Sequence, residues 1–381
     1  MITRAELEKT EDQTLASFAQ RSSQSRGRQY QEAEHPYRTA FQRDRDRIIH
    51  SSAFRRLQYK TQVFVNHEGD YYRTRITHTL EVAQIARSIA RTLGLNQDLT
   101  EAVALAHDQG HTPFGHSGEK VLNEIMKDDG GFEHTAQRYR IVTFFEDKYP
   151  DFKGLNLTYE VLEGVDKHRT RYDRPGGAGE QYTLEAQIVD LADEIAYTSH
   201  DIDDGLTSGL LNFEGLGQVP LWKRNFDKVK ERYPGLSPEK MKYQVVRSII
   251  DEEVTDLLNE TLGRVGKFNI KTVEDVRQCA EELGSFSPSF REQHLAMKRY
   301  LFQNMYRHPR VTRMEAKSAM VIQGLFKLYE SNPDILPNNT REKIKSHQEP
   351  VRRVICDYIA GMTDRFAIEE FEKLTQPSVR V

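Results

Sequence analysis

Apolar residues recur every three or four positions along most of the chain, the period of an amphipathic helix. Val82, Ile85, Ile89 and Leu93 form one such stripe; Gly94 supplies a stop, and Leu99, Val103 and Ala106 begin another after Asn96. The same spacing predicts helices over about 44–57, 117–127, 134–147, 183–204, 237–263, 289–307, 312–330 and 350–374. Residues 61–75, T-Q-V-F-V-N-H-E-G-D-Y-Y-R-T-R, break that period with β-branched and aromatic runs on either side of a glycine-containing polar turn, which predicts one short β-hairpin. Residues 169–181, crowded with Gly and Pro, predict a flexible loop. The first 36 residues, rich in Gln, Ser, Arg and Glu, have little apolar surface to bury and predict a mobile arm. With no internal repeat and no clean linker, the expected fold is mainly α: a single helical body over 37–381 whose C-terminal helical region packs on the rest.

Composition narrows the function classes. The 381 residues carry 54 Lys and Arg against 58 Asp and Glu, a formal net charge of −4. That balance removes bulk electrostatics as an argument for nucleic-acid binding, and the local basic groups Arg43, Arg45 and Arg47, and Arg299, Arg307, Arg310 and Arg313, read first as solvated faces. No run approaches the roughly 18–20 apolar residues of a membrane span, and the opening M-I-T-R-A-E-L-E-K-T lacks a secretory core, so a cytoplasmic location with no membrane partner is expected. Two distant cysteines, Cys279 and Cys356, make neither a disulfide framework nor a thiolate zinc site. Any metal must therefore use nitrogen and oxygen ligands.

Such ligands crowd into H-D-Q-G-H-T-P-F-G-H-S-G-E at 107–119, with three His, one Asp and one Glu in thirteen positions. His107 falls four residues after Val103, on the core side of its helix, with Asp108 beside it. An ionised Asp buried there is costly unless a cation or hydrogen-bond donors compensate. His78 precedes Val82, Ile85, Ile89 and Leu93 by four, seven, eleven and fifteen positions, so its imidazole points along the apolar stripe. Alone, such a His is more often a satisfied core residue; beside a His-Asp pair it becomes a candidate ligand. Asp193, Tyr197 and Asp201 stand at i, i+4 and i+8 on one helix, a polar stripe that offers a further ligand or, in the plainer reading, a solvated face.

These residues together resemble the HD-domain metal phosphohydrolases, and the string H-D-x-G-H-x-P-F-G-H-x-G-E is similar to the deoxyguanosine triphosphate triphosphohydrolase-like branch. R-D-R-D-R-I-I-H-S-S-A-F-R-R-L at 43–57, K-T-Q-V-F at 60–64, R-I-T-H-T-L-E-V-A-Q-I-A-R at 75–87, G-F-E-H-T-A-Q at 131–137 and D-Y-I-A-G-M-T-D-R-F-A at 357–367 extend the likeness over nearly everything from Tyr37 to Leu374. The resemblance implies an HD-domain helical fold with its metal-binding core at about 60–205. It makes His78, His107, Asp108 and Asp193 the ligands of a divalent ion, Mn2+ or Mg2+ ahead of other transition metals. It makes His116 and Glu119 the catalytic pair and His134 a further active-site histidine. Arg75, His111 and Lys167 match phosphate-side residues, Tyr197 and Asp201 residues contacting phosphates and sugar, and Gln62 a residue reading the sugar 3′-hydroxyl. Gln109, Thr112 and Thr135 depart from the pattern without removing a ligand or an acid/base group.

The activity so implied cleaves a deoxynucleoside triphosphate, dGTP or dNTPs generally, to deoxynucleoside and inorganic triphosphate, with a homo-oligomer and an activating nucleotide as expected partners. Two other classes fit the same residues: another HD phosphohydrolase acting on nucleotides, and a non-catalytic binder of nucleotides or single-stranded nucleic acid.

Overall fold

The computed structural model describes residues 1–62, 73–166, 180–345 and 349–380. Among them stand eighteen α-helices, and extended backbone pairs only as two isolated antiparallel bridges, Arg28 with Thr158 and Thr61 with Thr74. The fold is mainly α, as the apolar period predicts. The Thr61–Thr74 bridge lies at the base of the expected hairpin; its residues 63–72, most of the expected 169–181 loop, and Lys167 lie outside the described residues. No helix among the described residues is long and apolar enough to cross a membrane.

The chain forms two compact units. The first comprises Met1–Ile49, His78–Leu105 and Asn156–His308. Here Val82, Ile85, Ile89 and Leu93 of the Arg75–Leu93 helix are buried together with Leu99 and Val103 of the Gln97–Ala106 helix. Each such side chain withdrawn from water contributes roughly 1.5–3 kcal/mol. The Leu184–Thr207 helix starts at Thr183, whose hydroxyl accepts from the Ala186 N–H, and packs on the Pro238–Lys267 and Pro288–Leu301 helices. Its first turn carries Glu185, fully buried, which accepts backbone N–H bonds from Gln20 at 3.0 Å and Asn96 at 3.1 Å. Burial pushes this carboxyl up to about 7. The Gln20 bond is one of several that hold residues 1–36 in this unit: Thr3 and Glu6 cap the Arg4–Thr14 helix reciprocally, Ala19 is fully buried, and Arg28 pairs with buried Asp44.

Further along the same helix Glu194 meets three cations of the Pro288–Leu301 helix: Lys298 Nζ at 2.6 Å, Arg291 Nη1 at 3.0 Å and His294 Nε2 at 3.1 Å. His294 also places Nδ1 2.7 Å from Glu253 Oε1, and neither His294 nor Glu253 is exposed to solvent.

The second unit comprises His50–Thr77, Ala106–Leu155 and Pro309–Val381. Its core packs the Gly115–Ile125 helix on the Pro309–Ser331 helix, burying Leu122, Met126, Phe132, Ile322, Phe326, Ile355 and Ile359. The predicted 350–374 helix is in fact two, Val351–Ala360 and Asp364–Thr375, because Gly361 ends the first and the Thr363 hydroxyl caps the second by accepting from the Phe366 N–H. The predicted 44–57 helix divides in the same way: Ser51 caps Ser52–Arg56 by accepting from the Phe54 N–H, and the break falls at the boundary between the units. Asp364, buried, accepts from the backbone N–H groups of Thr61 and Phe114, both at 2.8 Å. Lys60 donates to the carbonyls of Ala360, at 2.9 Å, and His111. Burial, with the nearby Arg56 charge, lowers this ammonium to about 7. The C-terminal segment thus fixes the second half of the H-D-Q-G-H-T-P-F string, at Phe114 through Asp364 and at His111 through Lys60.

Candidate functional site

In the first unit the apolar stripe that buries the Arg75–Leu93 helix carries His78 in with it, leaving the ring almost fully enclosed. Its Nε2 lies 2.9 Å from Asp193 Oδ1, and its Nδ1 lies 3.2 Å from His200 Nδ1. Asp193 is half-exposed, whereas Asp201, two turns further along the same helix, is fully buried. Tyr197 lies between them, its hydroxyl 2.6 Å from that of Tyr306, with the two rings stacked at 12°. One end of this polar stripe is therefore open and the other sealed, which a uniformly solvated face does not explain.

In the second unit His107 and Asp108 follow the Gln97–Ala106 helix and are both buried. Asp108 Oδ2 accepts from Arg75 Nη1 at 3.1 Å, and Asp108 Oδ1 lies 3.2 Å from His111 Nδ1 and 3.5 Å from His107 Nε2. Arg75 is itself 2% exposed, so it is no solvated hairpin residue: it supplies the charge that an ionised buried Asp requires. Gly110 is required by close approach, since a Cβ there would stand 1.8 Å from the His134 carbonyl oxygen and 2.5 Å from Arg138 N. Arg138 in turn donates to the His107 carbonyl. Gly115 has φ +59°, and a Cβ on it would press to 2.9 Å from Arg75 Nη2. The preceding Phe114 also adopts a left-handed conformation, φ 61°, held by the bond from its N–H to Asp364.

That tight turn aims the first turn of the Gly115–Ile125 helix, where His116 and Glu119 stand one turn apart. Glu119 divides its oxygens: Oε2 meets His116 Nδ1 at 3.2 Å, while Oε1 meets His134 Nδ1 at 2.7 Å and the His134 backbone N–H at 2.8 Å. Burial pushes this carboxyl up, but the hydrogen bonds from His116 and His134 outweigh it and hold the group well below the usual carboxylate range. The His111 ring lies against that of His134, tilted by 31° with centroids 4.1 Å apart. Burial, with the Arg75 charge adding to it, holds His111 well below its ordinary pKa and therefore neutral. His116 alone of the three imidazoles is open, with 65% of its side chain exposed.

Each unit thus offers nitrogen and oxygen donors suited to a divalent ion: His78 with Asp193 in the first, His107 with Asp108 in the second. His111, Glu119 and His134 form a further group whose donor atoms lie within 4.8 Å of one another. Gln62 stands next to the Thr61–Thr74 bridge with its Oε1 buried and without a hydrogen-bond partner among the described residues. Both cysteines are free and buried.

Helical spacing did not single out His200, Glu81, Lys60, Asp364 or Tyr306. For His200 a signal existed, since it follows Asp193 by seven residues and so shares its face of the helix. For Lys60 and Asp364 none did, because their bonds join segments about 300 residues apart.

Residues 75–198 match the HD domain, and residues 284–373 match the Phosphohydrolase-associated domain. The chain is 52% identical over 373 residues to a deoxyguanosinetriphosphate triphosphohydrolase-like protein of Geobacter metallireducens, an alignment covering 96% of each chain. A protein of the same description from Geobacter sulfurreducens is 50% identical over the whole of both chains, and one from Ralstonia pickettii is 49% identical over 94% of each.

Proposed function

The chain belongs to the deoxyguanosinetriphosphate triphosphohydrolase-like family of HD-domain phosphohydrolases, and from that premise we propose that it hydrolyses deoxynucleoside triphosphates to deoxynucleoside and inorganic triphosphate. The observation that carries this reading is Glu119 shared between an open His116 and a half-buried His134. Water attack at the α-phosphorus forms one P–O bond and breaks the bond to the sugar 5′-oxygen, which leaves as a poor alkoxide unless it gains a proton. His116, oriented by Glu119, handles that proton and is exposed enough to exchange it.

His78, His107, Asp108 and Asp193 would together hold one divalent ion, Mn2+ or Mg2+. The donor chemistry supports this, since each pair alone is an incomplete ligand set. Such an ion supplies Lewis-acid polarisation of a phosphoryl oxygen and lowers the pKa of bound water. Arg75 neutralises phosphate charge, and His111 lies on the phosphate side with it. Lys167 accompanies Arg75 at the phosphates, Tyr197 and Asp201 contact phosphates and sugar, and Gln62 reads the 3′-hydroxyl.

The test is incubation of the metal-supplemented protein with each of the four deoxynucleoside triphosphates, singly and mixed, following nucleoside and triphosphate release. Release of both products supports the reading, and release only from the mixture adds nucleotide activation. Phosphate or pyrophosphate without triphosphate assigns another HD phosphohydrolase reaction, and tight binding without turnover assigns a binder. Light scattering tests the proposed homo-oligomer, which a monomer excludes.

A further inference from the structure

We propose that His200 and Glu81 form a positioning relay that fixes the tautomer of His78, an inference that rests on reading His78 as a metal ligand. The three residues form a chain within the first unit. His78 Nδ1 lies 3.2 Å from His200 Nδ1, and His200 Nε2 is in contact with Glu81 Oε2. The two rings are nearly perpendicular, at 82° with centroids 5.3 Å apart, the disposition of an N–H···N contact rather than a stack. Both rings are almost fully buried, so the relay rather than bulk water governs their hydrogen bonding.

The carboxylate end sets the direction. An ionised Glu81 only accepts, so a neutral His200 carries its hydrogen on Nε2 and presents a lone pair at Nδ1. A lone pair at His200 Nδ1 accepts only if His78 carries its own hydrogen on Nδ1. His78 Nε2 is then bare and faces Asp193 Oδ1 at 2.9 Å, the arrangement in which both atoms can bind a cation. Without the relay, the His78 hydrogen is free to move to Nε2 and be donated to Asp193, a bond that competes with metal. The two helices share the work crosswise. The Arg75–Leu93 helix carries His78 and Glu81, the Leu184–Thr207 helix carries Asp193 and His200, and each supplies one ligand and one support.

The test uses the full chain stripped of metal, as wild type, His200→Phe, His200→Gln and Glu81→Gln, with circular dichroism confirming that each is folded. Imidazole ¹⁵N shifts of metal-free protein report which nitrogen of His78 is protonated, and titration with Mn2+ reports affinity. The relay predicts a His78 hydrogen on Nδ1 in wild type that moves to Nε2 in His200→Phe. It predicts Mn2+ binding weakened roughly 10–100-fold in His200→Phe, the loss typical when the partner of a ligating His is removed. His200→Gln, whose amide oxygen accepts from Nδ1, restores most of the affinity, and Glu81→Gln lies between. Wild-type protein with the hydrogen on Nε2, or His200→Phe with unchanged tautomer and affinity, overturns the relay. Wild-type protein that binds no Mn2+ overturns the metal reading instead, and the ¹⁵N shifts still decide the relay. Should His200→Phe not fold, the wild-type and Glu81→Gln spectra decide it.

Discussion

Glu119 and Glu194 look alike electrostatically but stand beside very different imidazoles. Both are mostly buried, with 16% of the side chain exposed, and both are shared among several nitrogen donors. In each case burial pushes the carboxyl up and hydrogen bonds from a histidine and its companions pull it well below the usual range. The difference lies in the imidazole. His116 beside Glu119 is 65% exposed, able to meet a substrate and exchange a proton with water. His294 beside Glu194 is 0% exposed and held between two acids, Glu194 and Glu253. A strongly perturbed carboxyl therefore does not by itself separate the proposed reactive site from the Glu194 cluster; the open imidazole beside Glu119 does.

The largest expected effect separates the two in turnover. His116→Ala should lower kcat for nucleotide hydrolysis by about 10²–10⁴-fold, the range of a lost acid/base group, with the melting temperature little changed. Glu194→Gln should keep turnover within about tenfold of wild type, since no reacting proton passes through it. Steady-state kinetics on the two folded variants decide the matter. Equal losses in both would mean that the exposed imidazole is not what distinguishes these sites.

Stability should sort them the other way. His294→Ala strands Glu253 without its partner in a fully buried position, and leaving one buried charge uncompensated costs about 3–5 kcal/mol. Denaturant unfolding of wild type and variant measures it, and a loss below about 1 kcal/mol would place His294 among surface ion pairs instead.

The pH profile carries a sign. Burial alone would lower His294, but the hydrogen bonds it donates to Glu194 and Glu253 raise it. Its contribution to stability is therefore fully present below about pH 6.5 and is lost as pH rises through the raised folded value. Glu119 and Glu194, both depressed, contribute stability that is present above about pH 4.3 and lost as pH falls through their folded values. Thermal melts across pH should show His294→Ala converging on wild type at the alkaline end, and parallel curves throughout would break the assignment.

The sequence shows these two clusters very unequally. H-D-Q-G-H-T-P-F-G-H-S-G-E is local, so its crowding of donors and its turn residues can be read without a fold, and His78 stands out because an apolar stripe encloses it. The Glu194 cluster joins helices whose residues are about 40 to 100 positions apart, and nothing in the spacing of Glu194, Glu253 and His294 announces that they meet. The same holds for His200 against Glu81 and for Lys60 against Ala360: each depends on which helix packs where. The two divided helices were readable in principle, since Ser51 and Thr363 are both capping residues, but apolar periodicity runs across a one-turn break without a change of phase large enough to expose it.

The smallest expected effect tests whether burial, rather than the number of partners, ranks the Glu194 cluster. Arg291 makes a 3.0 Å ion pair with Glu194, about as close as His294 does, but 47% of its side chain is exposed. Water compensates an exposed guanidinium in either state, and Lys298 remains 2.6 Å from the carboxylate when Arg291 is removed. Arg291→Ala should therefore cost at most about 1 kcal/mol and lose even that in high salt, where exposed pairs are screened. His294→Ala should keep nearly its whole penalty in the same salt, because its partners are closed to ions. Denaturant titrations of both variants at low and high ionic strength make the comparison directly. An Arg291→Ala penalty that matches His294→Ala and persists in salt would show that Glu194 is stabilised by its set of cations as a whole, and that the sealed imidazole is only one of them.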